Sequence, residues 1–498
     1  MGLDVGTTGC KALVFSPEGR VISYSYREYT LSHPKPGWSE LDPVLLWRSI
    51  GDVIAESVAG AGGDRVTAVC VSVQGEAVIP VASDGRALYN FVITFDDRTI
   101  PQWKWWEKTL GRARIFHITG MPLHPMYSLN KIMWFRENLP QLFKQAWKFL
   151  CVEDFVFCRL GLEPTIDFSL AARTMAFDIR GERWSAEMLS LAGIDESLLS
   201  RVKPSGSVVG EIPDRVADEF GLARGAMAVT GGHDQCCGML GAGVVKEGLA
   251  MNATGTSDVL NPVFARPMMG GGMLERNYCC YHHTKPGMYT SCAFNLTGGL
   301  LLRWYRDAFC ADEVRDAKKT GKDAYELIIA GAKREPASVF ILPHFVGSGT
   351  PTLDPRSKGA ILGLTLETDR SDISRAVLDS TNYELKLNID AFEEIGIPID
   401  ELRAVGGGAK SDTWLQLKAD VFGKPVVSLE ISEAACLGAA LLAGAATGAY
   451  GSVDEGVALA VKTKRVFEPR RAEHDRYREK YAVYGKIYPA LLELNREM

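Results

Sequence analysis

Residues 2–15 read GLDVGTTGCKALVF, and residues 248–257 read GLAMNATGTS. Each segment contains a glycine–threonine turn that follows a strand-like run. A shift of 246 positions superimposes four residues of the first segment on identical residues of the second, namely Gly2, Leu3, Thr8 and Gly9 on Gly248, Leu249, Thr254 and Gly255. Taken alone, either turn is better explained as an ordinary hairpin, because these residue types are common in turns. Since the offset is close to half of the 498-residue chain, the pair predicts a duplicated architecture.

Turns of this composition are suited to phosphate. Glycines let backbone N–H groups approach phosphate oxygens closely, and threonine hydroxyls add further donors. The carboxylate of Asp4 in the first turn is the kind of ligand that holds a hydrated Mg²⁺. We therefore expect the two halves to present their turns to one shared ligand.

The composition is that of a globular protein large enough for two or three domains. Hydrophobic residues make up 46% and charged residues 23%, which is the ordinary balance of such proteins. The formal net charge is −6 and no basic tract stands out, so nucleic acid is not expected as a partner. No apolar run reaches the length of a membrane span, which excludes a membrane partner. The eleven cysteines lack regular spacing, as expected of reduced thiols in a cytoplasmic enzyme.

The order strand, polar turn, helix recurs in both halves, and it predicts an α/β fold with two similar domains. We expect the boundary near residues 241–247, which gives domains 1–242 and 243–498. Central strands are predicted at residues 66–73, 226–230, 402–405 and 426–429. Helices are predicted at residues 100–160, 236–242, 371–395, 414–422 and 433–446.

Asp234 is the strongest candidate for a catalytic group. It follows a predicted strand and the pair Gly231-Gly232, and Gln235 lies beside it. A carboxylate next to a sugar hydroxyl can accept its proton as the oxygen attacks a phosphoryl group. Considered by itself, Asp234 is better explained as the cap of the following helix.

Other polar residues also follow predicted strands, namely Gln74, Glu76, Asp96, Asp97 and Arg98. A cluster of donors and acceptors at the carboxyl ends of strands suits a polyol, although each residue alone is more typical of an exposed loop. Residues 406–408 are three glycines after a strand and could admit a nucleotide, but they lack the GxGxxG spacing of a dinucleotide site. Residues 279–283 (CCYHH) lack the ligand spacing of a structural zinc site, and we interpret them as a strand that alternates between core and surface.

Several long segments resemble the FGGY carbohydrate kinases, and the similarity extends over nearly the whole chain. Residues 4–11 are similar to the first phosphate turn of that family, and residues 126–138 (MYSLNKIMWFREN) fit its first signature. Residues 359–364 with 372–379 fit the second signature, and residues 406–416 resemble the adenosine segment. The resemblance implies an actin-like, hexokinase-like ATPase fold of the ribonuclease H-like type, with a cleft between duplicated domains.

The resemblance also implies ATP and Mg²⁺ as cofactors and a role for each site residue. Asp234 would be the catalytic base and would contact the sugar, and Asp4 would help to hold Mg²⁺. The ATP phosphates and adenosine would be contacted by Thr7, Thr8, Lys11, Gly255, Thr256, Gly407, Gly408 and Ala409. The sugar would be contacted by Gln74, Glu76, Asp96, Arg98 and Gln235.

The substrate is defined less sharply than the chemistry. Residues 74–76 read Gln-Gly-Glu where xylulokinases typically have Met-His-Gly, and Gly75 stands where glycerol kinases have arginine. The overall resemblance favours a pentulose such as xylulose, while ribulose, erythrulose, erythritol, glycerol and gluconate stay open. Gluconate would favour cationic residues in the pocket, and Arg98 is the one cationic candidate for it. A non-catalytic, actin-like regulatory protein is the alternative from another class, and the retained Asp4, Asp234 and both turns argue against it.

The expected partner is thus a small sugar or polyol, bound by a cytoplasmic enzyme. Relatives are often homodimers, but no interface can be read from this sequence. The strand before Asp4 has three residues, so either native residues precede Met1 or the edge of the sheet is trimmed.

Overall fold

The computed structural model of the chain describes residues 1–63 and 65–498. Its strands, in chain order, are β1 (Gly2–Val5), β2 (Gly9–Phe15), β3 (Val21–Glu28), β4 (Glu40–Leu41), β5 (Ala68–Val73), β6 (Ile79–Val81), β7 (Phe91–Val92), β8 (Lys148–Leu150), β9 (Thr165–Asp167), β10 (Phe177–Asp178), β11 (Arg183–Trp184), β12 (Arg201–Lys203), β13 (Val208–Glu211), β14 (Met227–His233), β15 (Gly248–Thr254), β16 (Asp258–Phe264), β17 (Tyr281–His282), β18 (Tyr289–Thr290), β19 (Ala293–Asn295), β20 (Phe340–Leu342), β21 (Ala360–Leu362), β22 (Ile399–Val405), β23 (Val426–Leu429) and β24 (Thr463–Phe467).

The α-helices are α1 (Pro43–Gly60), α2 (Ile100–Thr109), α3 (Arg112–Thr119), α4 (Ser128–Asn138), α5 (Pro140–Gln145), α6 (Val152–Arg159), α7 (Phe168–Ala172), α8 (Ala186–Ala192), α9 (Asp214–Phe220), α10 (Asp234–Gly241), α11 (Gly271–Glu275), α12 (Gly298–Phe309), α13 (Ala311–Thr320), α14 (Ala324–Ala330), α15 (Arg370–Glu394), α16 (Asp412–Phe422), α17 (Ala434–Ala446), α18 (Val453–Ala460), α19 (Arg471–Tyr484) and α20 (Ile487–Glu497).

Two large mixed sheets have the same internal order. In the first, β1 pairs antiparallel with β2 and parallel with β5, and β5 pairs parallel with β14. In the second, β15 pairs antiparallel with β16 and parallel with β22, and β22 pairs parallel with β23. Antiparallel edge strands, β13 and β24, complete the two sheets at equivalent places. The duplicated α/β architecture predicted from the two turns is therefore confirmed.

The strand register corrects the alignment of the two halves. The parallel pairing ends with Val5 opposite Val73 in the first sheet and with Ala253 opposite Val405 in the second. Val5 is thus equivalent to Ala253, and Asp4 to Asn252. The shift of 246 positions matched identical letters but placed Asp4 on Ala250, two residues away from its structural counterpart. The identities at that offset are therefore not structural equivalents.

Two helices join the halves, because each packs against strands of both sheets. Helix α10 follows β14 of the first sheet, but its Met239 packs with Met251 and Val405 of the second. Helix α17 follows β23 of the second sheet, but its Leu437 packs with Cys70 and others of the first. The two helices cross at very close range, because a Cβ on Gly438 would overlap the carbonyl oxygen of Cys237. Glycine is required there by the approach of the two backbones.

A second junction is formed by residues 278–281, which run between the two cores. Tyr278 and Cys280 pack in the core of the second half, whereas Cys279 and Tyr281 pack in the core of the first. His282 and His283 are also buried. The predicted alternation between core and surface is therefore wrong, because both faces of this segment are covered. Among residues 1–63 and 65–498, no cluster of three or more His, Cys, Asp and Glu side chains is arranged to hold a metal ion.

Several predicted elements differ from those observed. Residues 100–160 form five helices, α2 to α6, interrupted by strand β8 rather than one helical region. The helix predicted at residues 371–395 is confirmed as α15, which begins with a capping box between Asp369 and Asp372. In the part of the chain that the structure describes, no helix is long and apolar enough to cross a membrane.

We expect Gly438→Ala to lower the free energy of unfolding by about 1–3 kcal/mol or more, because the new methyl group forces α10 and α17 apart. Intrinsic helix propensity alone would act in the opposite direction, by about 1 kcal/mol. Denaturant unfolding measures the difference. Gly270→Ala is the matched control, since its Cβ would meet no atom within 4 Å. A Gly438→Ala protein as stable as the wild type would contradict the close helix crossing.

Candidate active site

The first turn, between β1 and β2, is closed by hydrogen bonds to its own backbone and to the end of β5. The amide N–H of Gly6 donates to the Gly9 carbonyl at 2.9 Å. Thr7 Oγ1 donates to Gln74 Oε1 at 3.2 Å, while Gln74 Nε2 donates to the Gly6 carbonyl at 3.2 Å. Thr8 is exposed at the tip. Gln74, predicted to contact the sugar, thus lies against the predicted phosphate turn.

Asp4 lies at the base of this turn and is held from two sides. Ser72 Oγ donates to Asp4 Oδ1 at 2.8 Å, and Lys11 Nζ lies 3.4 Å from Asp4 Oδ2. Lys11 also lies 2.5 Å from Glu433 Oε2, at the start of α17. Burial alone would lower the pKa of Lys11, but the Asp4 carboxylate and other acidic neighbours more than offset it and raise the pKa above its usual value. Lys11 therefore stays charged. It links the first turn to α17, the helix that follows β23 of the second sheet.

The second turn, between β15 and β16, packs against the beginning of α12. The amide of Gly299 donates to the Gly255 carbonyl at 2.8 Å, and the amide of Leu300 donates to the Thr256 carbonyl at 3.0 Å. Gly255 and Thr256 are both exposed. Their exposed surface is available to a ligand, as a phosphate-binding turn requires.

The glycine segment after β22 packs directly on this turn. A Cβ on Gly408 would lie 2.6 Å from Thr254 Cβ, so only glycine fits there. Gly407 is exposed, and its Cβ would meet nothing closer than the Thr254 carbonyl at 3.9 Å. Ala409 follows in the same short 3₁₀ turn. The predicted adenosine residues and the second phosphate turn are therefore neighbours.

A buried ion pair between Lys418 and Asp258 holds the strand residues that precede the second turn. Lys418 Nζ lies 3.1 Å from Asp258 Oδ2 and donates to Thr254 Oγ1 at 2.6 Å and to Asn252 Oδ1 at 2.5 Å. Burial lowers the pKa of Lys418. Sequence reasoning missed this lysine, which lies in α16 and far from the turn along the chain.

Asp234 is the first residue of α10, directly after β14. Its side chain is 32% exposed, and its Oδ1 lies 3.4 Å from His233 Nε2. Burial and the nearby Asp4 carboxylate raise the pKa of Asp234 to about 7. Burial and the charge of Arg173 lower the pKa of His233 to about 3, so the ring is neutral. The carboxyl group therefore exchanges its proton near neutral pH, which is the range suited to a general base.

Glu76 forms the centre of a second charged group beside Asp234. Its backbone has a φ of +59°, a left-handed conformation that is uncommon outside glycine and concentrates at functional sites. Ser128 Oγ and Lys131 Nζ of α4 fix this conformation by donating to the Glu76 carbonyl at 3.0 and 2.8 Å. Arg173 Nε donates to Glu76 Oε1 at 2.5 Å. Burial alone would raise the pKa of Glu76, but Arg173 more than offsets it and holds the pKa below its usual value.

Asp96 and Arg98 lie in a buried ion pair. Arg98 Nε donates to Asp96 Oδ1 at 2.7 Å, and Arg98 Nη2 donates to Glu40 Oε1 at 2.8 Å. The side chains of Asp96 and Arg98 are 0% exposed. The Arg98 guanidinium also lies 3.8 Å from the ring centre of Trp38. In this structure neither charged group has surface to offer a sugar, in contrast to the contact predicted from the sequence.

Sequence reasoning missed the residue that pairs with Glu76. Arg173 follows α7 in the run Ala171-Ala172-Arg173, which carries no local signal of a site. Its position follows only from the tertiary packing of α7 against β14 and β17. Lys131 was inside the quoted signature, but no role was predicted for it.

These groups are suited to phosphoryl transfer. Two glycine–threonine turns supply backbone and hydroxyl donors, and Asp4 and Asp234 supply carboxylate oxygens close enough to interact electrostatically. Mg²⁺ is commonly held by one or two carboxylates together with substrate phosphates, so this sparse donor set fits it. Asp4 would hold the ion, which would neutralise charge on the transferred group.

Comparison with known proteins identifies the chain. The model for the N-terminal domain of the FGGY family of carbohydrate kinases matches residues 1–241, and the model for its C-terminal domain matches residues 250–447. The chain belongs to this family. The predicted family and the prediction of a carbohydrate kinase are thereby confirmed. FGGY kinases use ATP, generally with a divalent metal ion.

Relatives of this FGGY kinase differ in the substrate that they are named for. It is 26% identical to a xylulose kinase of Bacillus subtilis (99% of this chain, 97% of the relative) and 28% identical to a gluconokinase of Bacillus licheniformis (100% and 96%). It is 31% identical to a glycerol kinase of Koribacter versatilis (94% and 94%). This chain is therefore a sugar kinase of the FGGY family that acts on a small molecule. The names of its relatives do not agree on which molecule that is.

Solved structures confirm the fold of the FGGY kinase. A xylulose kinase from Lactobacillus acidophilus superimposes with a TM-score of 0.90 at 23% identity, covering 99% of this chain and 98% of the other. A xylulose kinase from Rhodospirillum rubrum gives 0.89 at 24% identity, covering 99% of each chain. The two-domain, actin-like ATPase fold is therefore confirmed.

We expect Arg98→Met to lower the free energy of unfolding by about 3–5 kcal/mol, because Glu40 and Asp96 would lose their buried cation. Denaturant unfolding measures this loss. The control is Arg224→Met, which breaks an exposed pair with Asp218 and should cost no more than about 1 kcal/mol. If Arg98→Met keeps wild-type stability and raises only the KM for the sugar, Arg98 contacts the substrate instead.

Proposed function

We propose that this FGGY kinase transfers the γ-phosphoryl group of Mg-ATP to a hydroxyl of a small sugar or polyol, with a pentulose such as xylulose as the substrate. The observation that carries the proposal is the position of Asp234 between the Asp4 turn and the Glu76–Arg173 pair. Asp234, whose pKa is about 7, would thus act between the proposed phosphate-binding turn and the Glu76–Arg173 pair.

The reaction requires Asp234 to act on the attacking hydroxyl. As the substrate oxygen forms its bond to the γ-phosphorus, its proton passes to the carboxylate of Asp234. The bond from the γ-phosphorus to the β–γ bridging oxygen breaks, and ADP leaves with that electron pair. His233 stays neutral and lies 3.4 Å from Asp234, so it adds no competing positive charge.

The other predicted residues are assigned by their neighbours. Asp4 would hold Mg²⁺, and the ATP phosphates and adenosine would meet Thr7, Thr8, Lys11, Gly255, Thr256, Gly407, Gly408 and Ala409. Gln74, Glu76 and Gln235 would contact the sugar. Asp96 and Arg98 would act from behind the pocket, because their side chains are buried with Glu40. Closure of the two halves would exclude water from the transfer.

A coupled ADP-release assay across pentuloses, tetruloses, polyols and aldonates tests the proposal. We expect one pentulose to give the highest kcat/KM, and we expect Asp234→Asn to lose about 10²–10⁴-fold in kcat because the base is removed. Ligand-induced thermal shifts should show that this variant still binds the sugar. Asp97→Asn is the matched control, since Asp97 is exposed in the neighbouring loop. Full turnover by Asp234→Asn would refute the mechanism.

The raised pKa of Asp234 predicts the pH dependence. Because the base must be ionised, kcat/KM should fall about tenfold per pH unit below pH 7 and level off above it. The residual activity of Asp234→Asn should lack this decline. Since the protonated carboxyl is favoured in the folded state, ionisation should also lower the stability of the wild type, relative to Asp234→Asn, as pH rises from about 4 to about 7. A wild-type profile that is flat between pH 5 and 8 would contradict this assignment.

A further inference from the structure

The carboxylate of Glu76 and the guanidinium of Arg173 form a buried pair beside the proposed base. Arg173 Nε donates to Glu76 Oε1 at 2.5 Å, and its Nη2 is in contact with the same oxygen. The side chains are 3% and 9% exposed. Thr94 Oγ1 donates to the other oxygen, Glu76 Oε2, at 3.0 Å. Each charge is therefore balanced within the pocket before a substrate arrives.

The remaining edge of Arg173 faces weak acceptors. Its Nη1 lies 3.8 Å from Met121 Sδ and 3.8 Å from Cys279 Sγ. Sulfur accepts hydrogen bonds weakly, so these N–H groups can gain by donating to an oxygen. The guanidinium carbon lies 5.5 Å from the ring centres of both Tyr127 and Tyr281, which shield it from water. A substrate hydroxyl would find a strong donor here.

This pair is close to the proposed base. A Cβ at Gly75 would lie 3.1 Å from His233 Nε2 and 3.7 Å from Arg173 Nε, so both side chains lie close to the backbone that precedes Glu76. His233 Nε2 in turn lies 3.4 Å from Asp234 Oδ1. The side chain of His233 therefore lies between the Glu76–Arg173 pair and Asp234.

The other titratable groups around the pair expose no positive charge, and burial lowers the pKa of Lys131 to about 8. Lys131 is fully buried and donates to the Glu76 carbonyl at 2.8 Å. Burial lowers the pKa of His124 to about 4 and that of His233 to about 3, so both rings are neutral at pH 7. The carboxylate of Glu76 would oppose the approach of an anionic group to Arg173. A sugar acid would bring a carboxylate to a site where Arg173 is already paired with Glu76.

We propose that the Glu76–Arg173 pair determines specificity, with Arg173 Nη1 donating to a hydroxyl of an uncharged ketose or polyol while Glu76 neutralises Arg173 and so excludes aldonates. The inference rests on the proposed sugar-kinase function and narrows its substrate class. It separates the chain from a gluconokinase, although a gluconokinase and a xylulose kinase are about equally similar to it in sequence.

The test is the ratio of kcat/KM for D-xylulose to that for D-gluconate, measured with one preparation of each variant. A ratio within one preparation does not depend on the fraction of folded enzyme. We expect the wild type to prefer the neutral sugar by at least about 100-fold, since an unpaired carboxylate in the pocket is costly. Glu76→Gln frees the charge of Arg173, and we expect the preference to fall at least about tenfold.

The double variant Glu76→Gln/Arg173→Met removes both charges and guards against misfolding caused by one unpaired group. We expect it to bind gluconate no better than the wild type, because the cation freed in Glu76→Gln is absent. Gluconate-induced thermal shifts should therefore increase in Glu76→Gln alone. An unchanged ratio in Glu76→Gln would overturn the assignment of the pair.

Two other results would distinguish failure of the specificity inference from failure of the proposed kinase function. A wild-type enzyme that turns over gluconate faster than every neutral sugar would refute the specificity inference and leave the kinase function standing. A wild-type enzyme that binds ATP but turns over no member of the panel would instead refute the proposed function.

Discussion

The close crossing of α10 and α17 is the constraint on which the rest of the structure depends. Each helix packs against strands of both sheets, and the absence of a side chain at Gly438 lets their backbones meet. Because α10 begins at Asp234 and α17 follows Glu433, the same crossing brings the proposed base and the partner of Lys11 to one place. The active site is thus assembled by the packing that holds the halves together.

The second junction extends this coupling to the Glu76–Arg173 pair, where we propose that the sugar binds. Residues 278–281 place alternate side chains in the two cores, and Cys279 and Tyr281 contact Arg173. The pocket around Glu76 is therefore built from both halves of the chain. A movement of one half relative to the other would change the surroundings of Arg173 directly.

Much of the architecture was predictable because its signals are local. Glycine–threonine turns after strand-like runs, and the position of Asp234 after a strand and two glycines, located the proposed phosphate turns and the base. Which residues of the two halves are equivalent could not be predicted from residue identities. The register of the strands, and not residue type, makes Asp4 equivalent to Asn252. Asp96 and Arg98 were recognised as a polar cluster, but their partner Glu40 is distant in sequence and left no signal near them.

By itself the sequence determined the duplicated α/β fold, the two turns, the proposed base and the kinase family, since each depends on short-range patterns of residue type. Only the tertiary structure decided which charged groups face the cleft and which are neutralised in buried ion pairs. Arg173 lies 97 positions from Glu76, and its proposed role depends on contacts of its Nε and Nη2 with one oxygen of Glu76 that no local pattern encodes. Electrostatic pairing depends on distance in space and on burial, and both are fixed only when the chain has folded.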